Sequence, residues 1–168
     1  MANVSGSLFD SITESTLMVD EILSSPYPYE QQLVKIVHGN TVLDARSPMD
    51  VLSHPDRIIK IEGYERLNRT LFQTCKDLAE IMQHDGPVTC HLFKSPAESV
   101  SFPVHTDPDD VYLYMVEGSK HLILDKVVHR LERWDSLLIP RDTPHKAVNF
   151  KSSLMLSFGL ERFIAEKL

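Results

Sequence analysis

The sequence predicts a mainly β protein, a small antiparallel barrel of jelly-roll type with helices packed on its outside. After Pro87 the chain divides into short β-prone runs separated by turn residues, with no helical period between them. Before Pro87 stands one clear amphipathic helix. With 168 residues and 42% hydrophobic composition, the chain fits one domain with a sizeable core. The expectation is a single domain over 1–168, in which residues 1–86 cover the barrel and 87–160 form it.

Taken in order, Ser15–Ser24 reads as a short helix, with Leu17, Val19, Ile22 and Leu23 apolar and Ser25-Pro26 as its stop. Gln32–His38 alternates as a strand does, and Gly39-Asn40 turns it back toward Thr41–Leu43. Arg57–Glu62 is a further strand. Asn68–His84 is the helix, because Leu71, Cys75, Leu78 and Met82 recur at helical spacing and Asp85-Gly86-Pro87 ends it. That stripe is a packing face, and Cys75 on it an inert thiol. The β-prone runs are Val88–Phe93, Val100–Val104, Val111–Val116, His121–Leu124, Val127–Leu131, Leu137–Ile139, Lys146–Phe150 and Leu154–Phe158. Glu117-Gly118 is among the turns expected between them.

Charge and composition exclude several classes. The net charge is −7, from 17 Lys and Arg against 24 Asp and Glu, and no basic stripe is present. Phosphate-binding surfaces carry the opposite sign, so direct nucleic-acid binding is not expected. No apolar run approaches the roughly 20 residues that span a bilayer. The N-terminus has neither the basic nor the apolar region of a secretory signal, so a cytoplasmic location is expected. Cys75 and Cys90 are too few for a disulfide scaffold and do not form a CxxC pair.

Chemistry concentrates in two places. One reads Phe102-Pro-Val-His105-Thr-Asp107, the other Pro140-Arg-Asp-Thr-Pro-His145. Along an extended segment His105 and Asp107 point to the same side. A His from a neighbouring strand can complete a face of three ligands, and two imidazoles with one carboxylate suit Fe(II) while leaving coordination positions open. Lys120 follows a β run and the Glu117-Gly118-Ser119 turn, and a buried Lys requires an anion. Tyr112 and Tyr114 are candidate pocket walls or core. His91, His121 and His129, as single histidines, read as packed or exposed.

Together these residues resemble the cupin-type 2-oxoglutarate oxygenases that include the JmjC proteins. The likeness is carried by His105-Thr-Asp107, Glu117-Gly118-Ser-Lys120, and Asp135-Ser-Leu-Leu-Ile-Pro140-Arg141 with His145. It is strongest toward the ribosomal oxygenase branch, the protein histidyl and arginyl hydroxylases. Pro140, His145 and Asn149 also fit the second cupin motif, with Asp142 where Gly is usual. The resemblance implies a double-stranded β-helix over residues 87–160, with His105, Asp107 and His145 as Fe(II) ligands. It implies that Lys120 holds the far carboxylate of 2-oxoglutarate, with Ser157 as the hydroxyl beside it and Tyr112 nearby. Departures include Met115 where Gln is common, Trp134 before Asp135, and Gly159 where the family's Ser aligns.

The implied activity is hydroxylation of a C–H bond, with 2-oxoglutarate converted to succinate and CO₂. A protein or peptide side chain is the expected substrate, a small metabolite the next, and a homodimer the oligomer to test. Two other readings stay open: a metal-dependent cupin enzyme that does not use 2-oxoglutarate, and a cupin binding module without catalysis.

Overall fold

The computed structural model describes residues 6–167. Its strands are β1 (Val34–His38), β2 (Thr41–Asp44), β3 (Ile58–Ile61), β4 (Val88–Ser95), β5 (Asp110–Leu124), β6 (Val127–Glu132), β7 (Ser136–Ile139), β8 (His145–Val148) and β9 (Ser153–Leu160). The helices are α1 (Glu14–Leu17), α2 (Val19–Ser24), α3 (Tyr27–Glu30), α4 (Pro48–Leu52), α5 (Arg69–Ile81) and α6 (Ile164–Lys167). All strand pairings are antiparallel, in the order β2-β1-β3-β4-β9-β5-β6, with β7 and β8 also paired to β5. This is the mainly β jelly roll expected, and β5 is its pivot. The first half of β5 lies between β9 and β7, and its second half lies between β6 and β8.

The main sheet is apolar on both faces, for different reasons. Its outer face carries Ile36, Ile59, Ile61, Cys90, Leu92, Tyr112, Leu156 and Phe158, packed with Phe9, Leu17, Tyr64, Leu71 and Leu78. Its inner face carries Leu113, Met115 and Met155, packed with Leu122, Leu131 and Ile139. Strand side chains alternate between faces, so one sheet separates a closed core from the barrel interior.

Helix α5 begins at Asn68, whose Oδ1 accepts from the Leu71 N–H (3.2 Å). The same side chain donates from Nδ2 to the Thr16 carbonyl (2.7 Å), binding α5 to α1. Leu71, Thr74, Cys75 and Leu78 form its buried face. Burial, assisted by the Glu65 charge, pushes the Cys75 thiol up to about 12, so it is inert.

Three expectations fail for non-local reasons. The single helix expected over Ser15–Ser24 is two, α1 and α2, with Met18 left-handed between them (φ 55°). The Leu17 carbonyl there accepts from the Tyr64 hydroxyl (2.6 Å) and Asn68 Nδ2 (3.3 Å). The strand expected at Val100–Val104 does not form. Its neighbourhood is held by the Asn149 side chain, which donates to the Ser99 carbonyl (3.0 Å) and Ser101 Oγ (2.7 Å), instead of by a ladder.

The third failure matters most for the site. Glu117-Gly118 is not a turn; the chain runs on as one strand of 15 residues. Met115 pairs with Met155 and Glu117 with Leu154, so Val116 is an extra residue, a β-bulge. The bulge exchanges the strand's faces. Leu113 and Met115 point inward before it, and Lys120, Leu122 and Leu124 point inward after it.

Gly118 makes this possible. Its φ is +74°, and a Cβ there would stand 2.0 Å from the Ser152 carbonyl oxygen. Gly118→Ala is expected to cost more than about 2 kcal/mol, from the left-handed strain and the clash with fixed backbone. Chemical denaturation with an unchanged m-value checks it, and a loss under 0.5 kcal/mol would refute the bulge as drawn.

Candidate metal centre

His105 and His145 arrive on different segments and are joined through their backbones. The His105 N–H donates to the His145 carbonyl (3.1 Å), and the His145 N–H donates to the His105 carbonyl (2.9 Å). Asp107 is tied to the same second segment, since its carbonyl accepts from the Asp142 N–H (2.8 Å). Asp142 sits at φ 61°, where Gly is most at ease and Asp is tolerated. Three residues after Asp107, Asp110 Oδ1 accepts from the N–H of Arg141, the residue before Asp142 (2.8 Å).

The imidazoles are oriented by the same local device. His105 Nδ1 lies 2.9 Å from the Pro103 carbonyl and His145 Nδ1 lies 2.9 Å from the Thr143 carbonyl, each two residues back. A carbonyl can only accept, so each Nδ1 carries a proton and Nε2 is the face presented to Asp107. His145 Nε2 is 3.3 Å from Asp107 Oδ2 and His105 Nε2 is 3.9 Å from Oδ1. One ligand atom from each residue lies within 4.8 Å of the others. Metal–ligand bonds of about 2.1 Å at right angles separate neighbouring ligands by about 3 Å. The donor set therefore fits one divalent ion with a contraction smaller than a side-chain rotation supplies.

The electrostatics agree. The hydrogen bond from His145 holds the Asp107 carboxyl below its usual range, against burial, with help from the charges of His145, His105 and Lys60. The same hydrogen bond raises His145, against burial, with support from the Thr143 carbonyl and the Asp107 charge. A metal ion would take the place of the proton held between Nε2 and Oδ2.

The triad stands at the mouth of a cavity of about 550 Å³ inside the barrel. His145 is buried, while the His105 and Asp107 side chains keep 39% and 36% of their surface. Lys120 is in the same cavity, 3% exposed, and donates to Ser95 Oγ (3.0 Å). Burial alone lowers its ammonium to about 8. Among the described residues no carboxylate lies within ion-pair distance of it.

Ser157 also lines the cavity, from β9, but opposite His91 on β4. The hydroxyl that Lys120 meets is Ser95, which pairs with Ser153, four residues along β9 from Ser157. Tyr112 is a correction. The bulge puts it on the opposite face from Lys120, where it is 8% exposed with its ring 5.9 Å from Phe9, outside the cavity.

Of the polar residues Thr89, His91 and Lys60 in this wall, the sequence reading singles out only His91, and that as a packed or exposed ring. A signal for the first two was present, because Thr89, His91, Phe93 and Ser95 alternate with the apolar Val88, Cys90 and Leu92 along β4. His121 is elsewhere, edge-on to Phe150 with ring centroids 4.9 Å apart.

No protein-family model matches the chain, and no curated protein matches it. Among solved structures it is similar to KdgF from Halomonas sp., at 26% identity and TM-score 0.42, over 47% of this chain and 74% of that one. It is similar to an RmlC-like cupin from Shewanella frigidimarina at 24% identity and TM-score 0.41, over 45% of this chain and 68% of that one. A third is the salicylate 1,2-dioxygenase of Pseudoaminobacter salicylatoxidans, 14% identical with TM-score 0.41, over 43% of this chain and only 19% of that one. Each match spans less than half of this chain and decides nothing about its chemistry. No helix among the described residues is long and apolar enough to cross a membrane.

Proposed function

We propose that this protein is an Fe(II)- and 2-oxoglutarate-dependent oxygenase that hydroxylates a C–H bond. The observation that carries the reading is a buried ammonium with no anionic partner among the described residues, Lys120, in the cavity whose mouth holds a two-His, one-Asp ligand set. A cation in that position is costly unless a ligand neutralises it. A dicarboxylic 2-oxo acid would do so with one carboxylate while its other end met the ion that His105, Asp107 and His145 would hold.

In this reading, iron held by the triad supplies the activation of O₂ that no amino-acid side chain provides. Three protein ligands leave room for a chelating co-substrate and for O₂. The balance is O₂ + 2-oxoglutarate + R–H → succinate + CO₂ + R–OH, with one oxygen atom entering succinate and the other the product. The chain's own contribution is positional. The carbonyls of Pro103 and Thr143 keep both Nε2 atoms aimed at the ligand. Ser95 fixes the Lys120 ammonium. Leu113, Leu122 and Met155 give the space between an apolar lining.

The proposed substrate is a protein or peptide side chain, or else a small metabolite, brought to the exposed side of His105 and Asp107. Binding of 2-oxoglutarate to protein loaded with Mn(II) under argon, read by calorimetry, tests the reading. Strong binding that requires the metal supports it. Metal binding with no affinity for 2-oxoglutarate would leave a cupin of another chemistry, and no metal binding at all would leave a binding module.

A further inference from the structure

The cavity has a second polar wall that the proposed reaction leaves unused. On β3 and β4, Lys60 and His91 face into it. The Gly63 N–H donates to His91 Nδ1 (3.2 Å), so the neutral ring carries its proton on Nε2. No described group accepts that Nε2–H. Burial, then the Lys60 charge, lower this histidine to about 4 against a smaller opposing effect of Glu62, so the ring is a neutral donor near pH 7. Lys60 is held at one side by Glu62 (3.3 Å), and its side chain is 19% exposed.

Phe93 separates this wall from the co-substrate end. Its ring centroid is 5.8 Å from Lys60 Nζ and 6.0 Å from Lys120 Nζ. Two ammonium groups thus share one cavity, one deep beside Ser95 and one on the wall that also influences Asp107. One co-substrate accounts for the first and not for the second.

We infer that Lys60 and the Nε2–H of His91 form a second oxyanion subsite, which receives an acidic group of the substrate, a carboxylate or a phosphate, beside the metal centre. The substrate class is then an acidic compound or side chain. Its assignment to the substrate rests on the oxygenase reading, whereas the anion site itself does not. A neutral N–H and an ammonium together suit an oxyanion, because each oxygen takes a directed donor, and the anion shares the Lys60 charge with Glu62.

The test uses metal-free protein without 2-oxoglutarate, in a Lys120→Met background that removes the other ammonium. Acetate and inorganic phosphate are titrated separately while the His91 Nε2–H and Gly63 amide resonances are followed by NMR. A saturable shift of both resonances with either probe is expected, and the probe that binds more tightly tells carboxylate from phosphate. Lys60→Gln should weaken the binding at least tenfold and Lys60→Arg should restore it. His91→Asn, whose shorter amide can accept from Gly63 but places no donor at the Nε2 position, should weaken it at least threefold on the Gly63 signal. Glu62→Gln should tighten it severalfold, a gain that misfolding cannot mimic. Unshifted resonances, or Lys60→Gln titrating as its parent does, would overturn the site. Failure of 2-oxoglutarate to bind the Mn(II) protein would overturn the oxygenase reading and leave this site standing.

Discussion

Asp107→Ala is expected to lower Mn(II) or Fe(II) affinity at least about a hundredfold and to remove succinate production. Losing merely an outer partner of a metal ligand costs about 10–100-fold, and here the ligand itself, the sole carboxylate of the set, is removed. Two neutral imidazoles would remain to balance a divalent charge. The fold should persist, because the Asp107 backbone still accepts from Asp142 and its side chain is 36% exposed. The lost contact to His145 should change stability by only about 1 kcal/mol. Calorimetric metal titration, with the thermal midpoint as control, checks both. A variant that binds metal as tightly as its parent would end the assignment of the triad.

Lys120→Met is expected to act in two directions at once. Affinity for 2-oxoglutarate should fall at least about a hundredfold, since a buried charged partner typically supplies 3–5 kcal/mol when its mate is left unpaired. The ligand-free protein should become more stable. The ammonium falls from 10.5 to about 8 by burial, so between pH 8 and 10.5 the unfolded chain holds more protons than the folded one. Parent stability therefore rises with pH across that window and is lowest below pH 8. The variant should lack that slope and gain about 3 kcal/mol near pH 7, by the conversion of pKa shift to free energy. With metal already bound to both proteins, 2-oxoglutarate at a concentration that saturates the parent should raise the parent's midpoint and leave the variant's nearly unchanged. A destabilised variant that still bound 2-oxoglutarate would refute the anchor.

How far the sequence discloses this molecule depends on whether the relevant forces are local. Strands β1, β3 and β4 and helix α5 are legible because alternation and helical spacing are written in adjacent residues. His105, Asp107 and His145 are legible because their spacing survives any reasonable pairing of strands, and the structure brings them within 4.8 Å. Tyr112 is misplaced by simple alternation, which puts residues 112 and 120 on the same face. The extra residue at Val116 reverses that parity, and the space for it comes from contact between Gly118 and Ser152, residues distant in sequence. Ser95 is missed as the partner of Lys120 for the same reason. It looks like part of a Ser-Pro turn, yet it ends the inward face of β4. The break at Met18 depends on Tyr64 and Asn68, which no window around residue 18 contains.

The paired backbone bonds between His105 and His145 bear on how fast an ion can come and go. Two of the three donors are anchored to each other before any ion arrives, so the chelate forms with little further loss of chain freedom. An ion departs by releasing donors in succession, and a donor that cannot swing away recaptures it. His105 and His145 are restrained in this way through their backbones and their Nδ1–carbonyl contacts, so an ion held here would be released most readily through the carboxylate of Asp107.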